Sequence, residues 1–583
     1  MFERLRPLNP YLRRYWKNLA WGGVAVLLYN TIKVLLPAVI GHAIDDMRHG
    51  VTQQKIVYHA LRLLLVATLS AIFLYITRQV IIGASREIEF DLRNDLFANL
   101  ERQPPSFYHT HRTGDIMARA TNDLAAVRQL LGPAIMYSAN TIVFTAAALP
   151  FMIRISPRLT LCAFVPLPIA SVLVQYFGAR IHTRFERIQA MFSDISAKAQ
   201  ENFSGARLIR AFAQEDAEIA SFETANLEYI SRSLHLVRLM AMLWPTLEFV
   251  LGLSLMITLL VGGHEVATHR ISIGDFTAFS VYMVQLTWPM IAIGWVVNLF
   301  QRGTASVVRI DELLKQVPAI ADDPIATTNP ASAIVGKIEF RDLTFAYAGG
   351  PAVLRNINLS IPAGSSLAIV GPTGSGKSTL VNLIPRLLDA APGAVLIDDQ
   401  PIRSFTLSQI RGSIGFVPQE TFLFSETIRQ NIAFGSPGAT ESQVRDAATV
   451  AHISTEILEF PKGFETMVGE RGITLSGGQK QRTAIARAIL RDPCILILDD
   501  ALASVDTYTE EQILTGLRQV MQGRTTIFIS HRISTARQAD QIAVLVDGRI
   551  AELGTHDELL SRNGYYTNLF EKQHLEEELE VTT

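Results

Sequence analysis

Six apolar stretches, all before residue 301, set the first limit on what this chain folds into. A helix needs about 20 residues to cross a hydrocarbon core of about 30 Å. The stretches Asn18–Gly41, Val57–Gly83, Gln129–Ile153, Leu159–Ala179, Leu239–Gly262 and Phe276–Phe300 are of that length, the fourth the cleanest and the second the least clean. Beyond them no such run occurs, and short β-rich strands alternate with helical segments. Charged residues make up 18% of the chain, below the about 25% usual for globular domains, and mean hydropathy is +0.24. The expected architecture is an all-α, six-helix membrane domain over residues 1–315 and a linker over 316–335 carrying Pro318, Pro324 and Pro330. An α/β domain then fills 336–583.

Charge sets the orientation. The segment between the second and third stretches carries Arg86, Arg93, Arg102, Arg112, Arg119 and Arg128, and that between the fourth and fifth is equally rich in Arg and Lys. The opposite loops hold only Arg48 and Lys55, then Arg154 and Arg158, then Arg270. Cytoplasmic loops carry the excess of Lys and Arg, so both termini and the α/β domain are expected in the cytoplasm. Helical spacing in 84–101 and 183–237 predicts membrane helices that continue well into the cytoplasm. Phe2–Lys17 mixes basic and aromatic residues, as an amphipathic helix on the inner surface or a basic anchor would. Net charge is −2, which gives no basis for a nucleic-acid partner. The two cysteines, Cys162 and Cys494, read as packing residues, and no cleavable signal peptide is read at the start.

The chemistry is written in the second half. The apolar strand Ser366–Val370 runs into Gly371-Pro-Thr373-Gly374-Ser375-Gly376-Lys377-Ser378-Thr379 and then a helical run. Strand, glycine loop and helix form a P-loop: glycines turn backbone N–H groups onto phosphate oxygens, and the helix amino terminus adds partial positive charge. Lys377 is placed for the β- and γ-phosphates of a nucleoside triphosphate, and the Ser378 hydroxyl for Mg²⁺. The strand Cys494–Leu498 ends in Asp499 and Asp500. Asp499 is placed to hold the magnesium, and Asp500 to orient or deprotonate the attacking water. Leu475-Ser476-Gly477-Gly478-Gln479 opens another helix with residues suited to phosphate.

With these motifs in this order the chain resembles an ABC transporter, specifically an exporter-type half-transporter, over essentially its whole length. The resemblance implies ATP and Mg²⁺ as cofactors and assigns further roles by motif. Tyr347 resembles the aromatic residue that stacks on adenine. Gln419, in Val417-Pro-Gln-Glu, resembles the glutamine that touches magnesium, and His531 the histidine at the γ-phosphate. Thr466–Gly472 resembles the exporter segment before the signature, and Ser504-Val505-Asp506 the loop that signals between cassettes. Phe107–Met117 and Gly205–Glu215 resemble coupling helices. The family pairs two cassettes head to tail, so Ser476, Gly477, Gly478 and Gln479 would bind ATP held by a second half-transporter.

One position departs from the family. Glutamate normally follows the Walker B aspartate, and here Asp500 stands there, in Asp-Asp-Ala-Leu-Ala-Ser. This resembles the degenerate-site subunit of a heterodimeric exporter; a homodimer using the aspartate as a weaker base is the alternative. The expected function is ATP-driven export of an amphipathic drug or lipid across a bacterial inner membrane. An importer for a metal chelate on the exporter fold, and an ATP-gated channel or regulator, are the alternatives. Within the spans, Lys33, Arg78, Glu248 and Gln285 are candidates to line the path or to pair, Lys33 with Glu248 for instance. Trp244, Trp288, Tyr282 and Met283 are candidates for an apolar wall, or for packing.

Overall fold

The computed structural model describes residues 2–324, 326, 334–469, 472–503 and 507–582. The chain divides into two compact units: Met1–Arg102 with His111–Gln316, and Gln103–Thr110 with Val317–Thr583.

The first unit is helical. Among the described residues, five helices are long and apolar enough to cross a membrane: Trp16–Arg48, Gln53–Leu100, Thr113–Ile155, Glu215–Ala267 and Ile273–Leu314. The fourth expected stretch is helical but interrupted at Val165, between Pro157–Phe164 and Pro166–Ser204, and neither piece is among the five. Pro166 has no N–H to continue the hydrogen-bond ladder, so a break falls there. The 53 residues of Glu215–Ala267 span about 80 Å at 1.5 Å per residue, more than twice a hydrocarbon core. The helices therefore extend well beyond the apolar stretches.

Lipid offers no hydrophobic drive for one helix to join another, so close approach at small residues holds the bundle together. Gly41 and Gly274 show how close. A Cβ on Gly41 would lie 2.6 Å from the Gly274 carbonyl oxygen, and one on Gly274 would lie 2.1 Å from that of Gly41. Asp45, one turn on, accepts from the Gly274 backbone N–H at 2.8 Å and from the Ser272 hydroxyl. Ser272 also caps Ile273–Leu314 in a reciprocal capping box with Asp275. Deeper in the bundle, fully buried Tyr282 donates to the Val34 carbonyl at 2.7 Å. Farther along the same bundle, buried Asp123 accepts from Arg309 Nε and Ser306 Oγ, each at 2.8 Å. At the amino terminus Tyr11 and Tyr15 donate to Asp95 and Asp91, and Leu8 is buried, so this segment is docked on the helix Gln53–Leu100.

The second unit contains two sheets. One has the order β2-β1-β4-β5 and is antiparallel: β1 Ile338–Ala346, β2 Ala352–Ile361, β4 Val395–Ile397 and β5 Gln400–Pro401. The other runs β10-β9-β3-β8-β7-β6. Its strands are β3 Ser366–Val370, β6 Ile414–Val417, β7 Ile495–Asp499, β8 Thr525–Ile529, β9 Gln541–Val546 and β10 Arg549–Gly554. Pairing is parallel from β6 through β9, and β10 joins β9 antiparallel. Side chains alternate along a strand, and two cores follow. Leu367 and Ile369 of β3 join Ile495 and Ile497 of β7 on one face; Ala368 and Val370 join Leu496 and Leu498 on the other. Both faces are covered, so these strands read as unbroken apolar runs.

Gly274→Ala forces two helix backbones apart and is expected to lower the apparent Tm of the purified protein by several degrees, the scale of about 1–3 kcal/mol for overpacking. Gly263→Ala, whose Cβ meets nothing within 4 Å, is expected to leave Tm unchanged or slightly raised. Differential scanning fluorimetry in detergent checks both.

Candidate functional site

Parallel strands deliver their following loops to one sheet edge, where open α/β sheets bind ligands. The loops after β3, β6, β7 and β8 bring the P-loop, Gln419, Asp499–Asp500 and His531 to that edge. β3 lies between β8 and β9, and its start is pinned by Asp540, which accepts from Ser366 N and Oγ, both at 2.8 Å.

Sterics dictate the loop's glycines. Gly371 has φ +147° and Gly376 φ +102°, within the range that favours glycine. A Cβ on Gly371 would lie 2.1 Å from the Leu545 carbonyl oxygen, and one on Gly376 2.8 Å from Leu354. Gly374, at φ +83°, faces open space. The helix Lys377–Asn382 starts immediately after Gly376.

Lys377 is buried, and its ammonium donates to the carbonyls of Gly371 and Pro372, each at 2.9 Å. Burial holds its pKa below the usual lysine value, with Asp500 and Asp499 working against that shift. Asp499 is 3% exposed. Burial pushes its carboxyl up, although Ser378 Oγ donates to it at 3.0 Å. The hydroxyl of buried Ser375 has no hydrogen-bond partner among the described residues.

These features fit a bound Mg-nucleotide. A turn of glycines, an orphaned hydroxyl and a lysine resting on its own loop's carbonyls suit a polyphosphate. The Ser378–Asp499 contact suits a small hard cation that takes few protein ligands and fills the rest from phosphate and water. Among the described residues no cluster of three or more His, Cys, Asp and Glu offers a self-sufficient metal cage.

Asp500 follows at φ +51°, its backbone N–H donating to the Ile529 carbonyl at 3.1 Å. It lines a small cavity with Ser530, His531 and Glu510. Glu510 is buried and accepts from Arg532 and Thr535, beside His531. His531 and Gln419 are exposed. Tyr347 is exposed too, its hydroxyl 3.1 Å from that of Thr379. Thr373, whose side chain is also exposed, lies in the same loop.

The signature residues are built separately. Ser476 caps the helix Gly477–Leu490, its hydroxyl accepting from the Gln479 N–H while the Gln479 side chain accepts from the Ser476 N–H. Gln479 Nε2 also donates to Glu456 at 2.9 Å. Gly477, exposed, and Gly478, half-buried, form the first turn. Among the described residues no hydrogen bond joins Ser476–Gln479 to the P-loop. Arg487, on the same helix, donates to the carbonyls of Asn431 and Phe422, and burial lowers its pKa to about 10. Ser504-Val505-Asp506, and Glu470 and Arg471 of the preceding exporter segment, lie outside the described residues.

Sequence reasoning passed over Glu456, Glu510 and Arg487, whose roles are contacts between distant segments. It also passed over Gln573, which accepts from the Ile533 N–H at 2.9 Å and donates to the His531 carbonyl. Only the capping spacing Ser476…Gln479 gave a local signal.

In the first unit the candidates separate. Lys33, Arg78, Trp244 and Trp288 line a cavity of about 570 Å³. Tyr282 and Met283 are instead packed in a core with Phe144, Phe279 and Leu286. Glu248 is exposed, lies outside the cavity lining and is not paired with Lys33.

Residues 19–290 match the family described as ABC transporter transmembrane region, and residues 354–503 match the family described as ABC transporter. The multidrug resistance-like ATP-binding protein MdlA of Escherichia coli (strain K12) is 36% identical over 578 residues, covering 98% of this chain and 97% of that protein. An ATP-dependent lipid A-core flippase of Syntrophus aciditrophicus (strain SB) is 35% identical over 581 residues, 99% of this chain and 95% of that protein. A solved structure of a bacterial Atm1-family ABC exporter with ATP bound superposes with a TM-score of 0.78 at 29% identity, over 96% of this chain and 98% of that one. The second unit is thus an ATPase that uses ATP with Mg²⁺ and couples its hydrolysis to transport. The first anchors a multi-pass protein of the bacterial inner membrane, with the ATPase domain cytoplasmic. With relatives that match both halves along nearly its full length, the chain belongs to the ABC transporter family, as an exporter half-transporter carrying membrane region and ATP-binding cassette in one polypeptide.

Proposed function

We propose that this chain is one half of an ATP-driven exporter of amphipathic small molecules, and that it works beside a different half-transporter. The relatives named for multidrug resistance and lipid A-core transport support export. One observation carries the unequal pairing. Asp500 occupies the position of the water-activating carboxylate on a side chain one methylene shorter than glutamate. Water positioning tolerates little displacement, so the site on this chain's own P-loop turns over slowly. The signature Ser476–Gln479 is intact and, among the described residues, makes no hydrogen bond to that P-loop, which suits completion of the partner's site.

On this reading residues 1–315 are the membrane domain with six crossings, the interrupted Leu159–Ala179 supplying the fourth, 316–335 the linker and 336–583 the cassette. Lys377 and the turn Thr373–Gly376, with Thr379, hold phosphate, and Tyr347 meets adenine. Ser378, Gln419 and Asp499 hold the metal, which when bound neutralises charge gathering on the phosphates. Asp500 orients water, and His531 reaches the terminal phosphate. Pro105–Thr110, which clusters with the cassette rather than with the long helices flanking it, is the coupling element after the second crossing. Ala206–Ala211, a short helix between two long ones, is its counterpart after the fourth.

Asp500→Glu restores the missing methylene. It is expected to raise ATP turnover of the isolated chain about tenfold or more, as expected for a repositioned catalytic base, with little change in affinity. A phosphate-release assay reads it. Brisk turnover by the wild-type chain, unchanged in the variant, would count against the unequal pair.

Asp499→Asn tests the metal site. The Asp499 carboxyl is raised from 3.8 by burial, so its ionisation costs stability, and that cost appears as pH rises from the unfolded value through the folded one. The neutral amide removes this loss. Without ligand the variant is expected to gain Tm relative to wild type as pH increases across that window, yet to lose the Tm rise that Mg-ATP gives wild type. An equal Mg-ATP shift in both proteins would remove Asp499 from the metal.

A further inference from the structure

The cavity in the membrane half carries a charge imbalance that its walls do not correct. Lys33 and Arg78 both line it, and among the described residues no Asp or Glu does. Among the described residues neither cation forms an ion pair or a hydrogen bond. The Lys33 ammonium lies 4.9 Å from the centre of the Phe144 ring and 5.5 Å from that of Tyr29. Those ring faces steady the ammonium but bring no countercharge. The polar residues of the same wall are spent on each other: Asn30 Nδ2 donates to Asn140 Oδ1 at 2.9 Å and to the Val26 carbonyl at 2.8 Å. Apart from Thr141 the rest is aromatic and apolar, with Trp244, Trp288 and Trp295 in the lining.

Uncompensated cations inside a membrane bundle are expensive and call for a partner. Neither the bundle nor Glu248 provides one. We propose that this cavity selects amphiphiles with an anionic head, a phosphate or sulfonate, over cationic amphiphiles with the same apolar body. The head sits between Lys33 and Arg78, where the guanidinium offers a fork to two oxygens. The apolar body lies against the tryptophans. The inference rests on the export reading, since it names the class of molecule that would enter this site.

Three of the chain's five tryptophans line the cavity, so the site reports on itself. The full-length protein, co-purified with any partner, is placed in phosphatidylcholine nanodiscs and titrated with two probes. One is a dodecyl phosphate brominated at its tail, the other a dodecyl trimethylammonium with the same tail. Bromine quenches indole fluorescence on contact. The phosphate is expected to saturate at a concentration at least about tenfold lower, as one or two charge-assisted hydrogen bonds imply. The Lys33→Gln, Arg78→Gln double variant is expected to lose that difference, while Lys33→Arg and Arg78→Lys keep it. Equal affinity for the two probes, tighter binding of the ammonium, or an undiminished preference in the double variant would overturn the proposal. Should the double variant not fold, the two probes compared on wild type still decide it.

Displacement of the phosphate probe by phosphatidic acid in the disc would support a lipid ligand. Displacement by a water-soluble naphthalene sulfonate would support a soluble one. ATP-driven uptake into inside-out proteoliposomes separates this proposal from the export reading. Equal uptake of both probes sinks charge selection and leaves export standing. Selective quenching with no uptake of either does the reverse.

Discussion

Two opposite charges buried at one edge of a parallel sheet govern the rest of this molecule. Lys377 and Asp499 are both withdrawn from water, the first resting on two carbonyls of its own loop, the second on one serine hydroxyl. Burial works against ionisation of both. On the proposed reading a nucleotide brings the anion that Lys377 lacks, magnesium brings the cation that Asp499 lacks, and ligand binding relieves an electrostatic cost of their burial. The sheet exists to hold those groups together: β3 and β7 are each bonded to β8, so the P-loop and Asp499 leave the same edge.

The cassette was legible because its chemistry is local. The P-loop is nine consecutive residues, Gly371–Thr379, whose glycines answer to a backbone the sequence itself implies. Unbroken apolar runs announced β3 and β7 for the same reason. What the sequence concealed is held by contacts across long separations. Nothing near Gln479 points to Glu456, and nothing near His531 points to Gln573, 42 residues away. Their signals are spatial.

In the membrane half, apolar length was legible and arrangement was not. Hydropathy cannot distinguish Tyr282, wholly buried and bonded to Val34, from Trp288, 71% exposed on a cavity wall. Nor does it tell which glycines touch: Gly41 meets Gly274 while Gly263 meets nothing. The break at Val165 divides the stretch that looked cleanest by hydropathy, because proline chemistry acts on the backbone and leaves the apolar average untouched. A charge pairing drawn from sequence, Lys33 with Glu248, gives way to a lysine among aromatic rings.

The two halves meet in one requirement: the chain is incomplete alone. Its signature is formed and, among the described residues, makes no hydrogen bond to its own P-loop, and on the proposed reading the carboxylate that activates water is one methylene short. Native mass spectrometry of the complex gently extracted from its own membrane tests this most directly. The account predicts the 64.4 kDa chain bound one-to-one to a different half-transporter. A complex of two identical copies, near twice 64.4 kDa, would contradict it and make Asp500 a working residue in two equal sites.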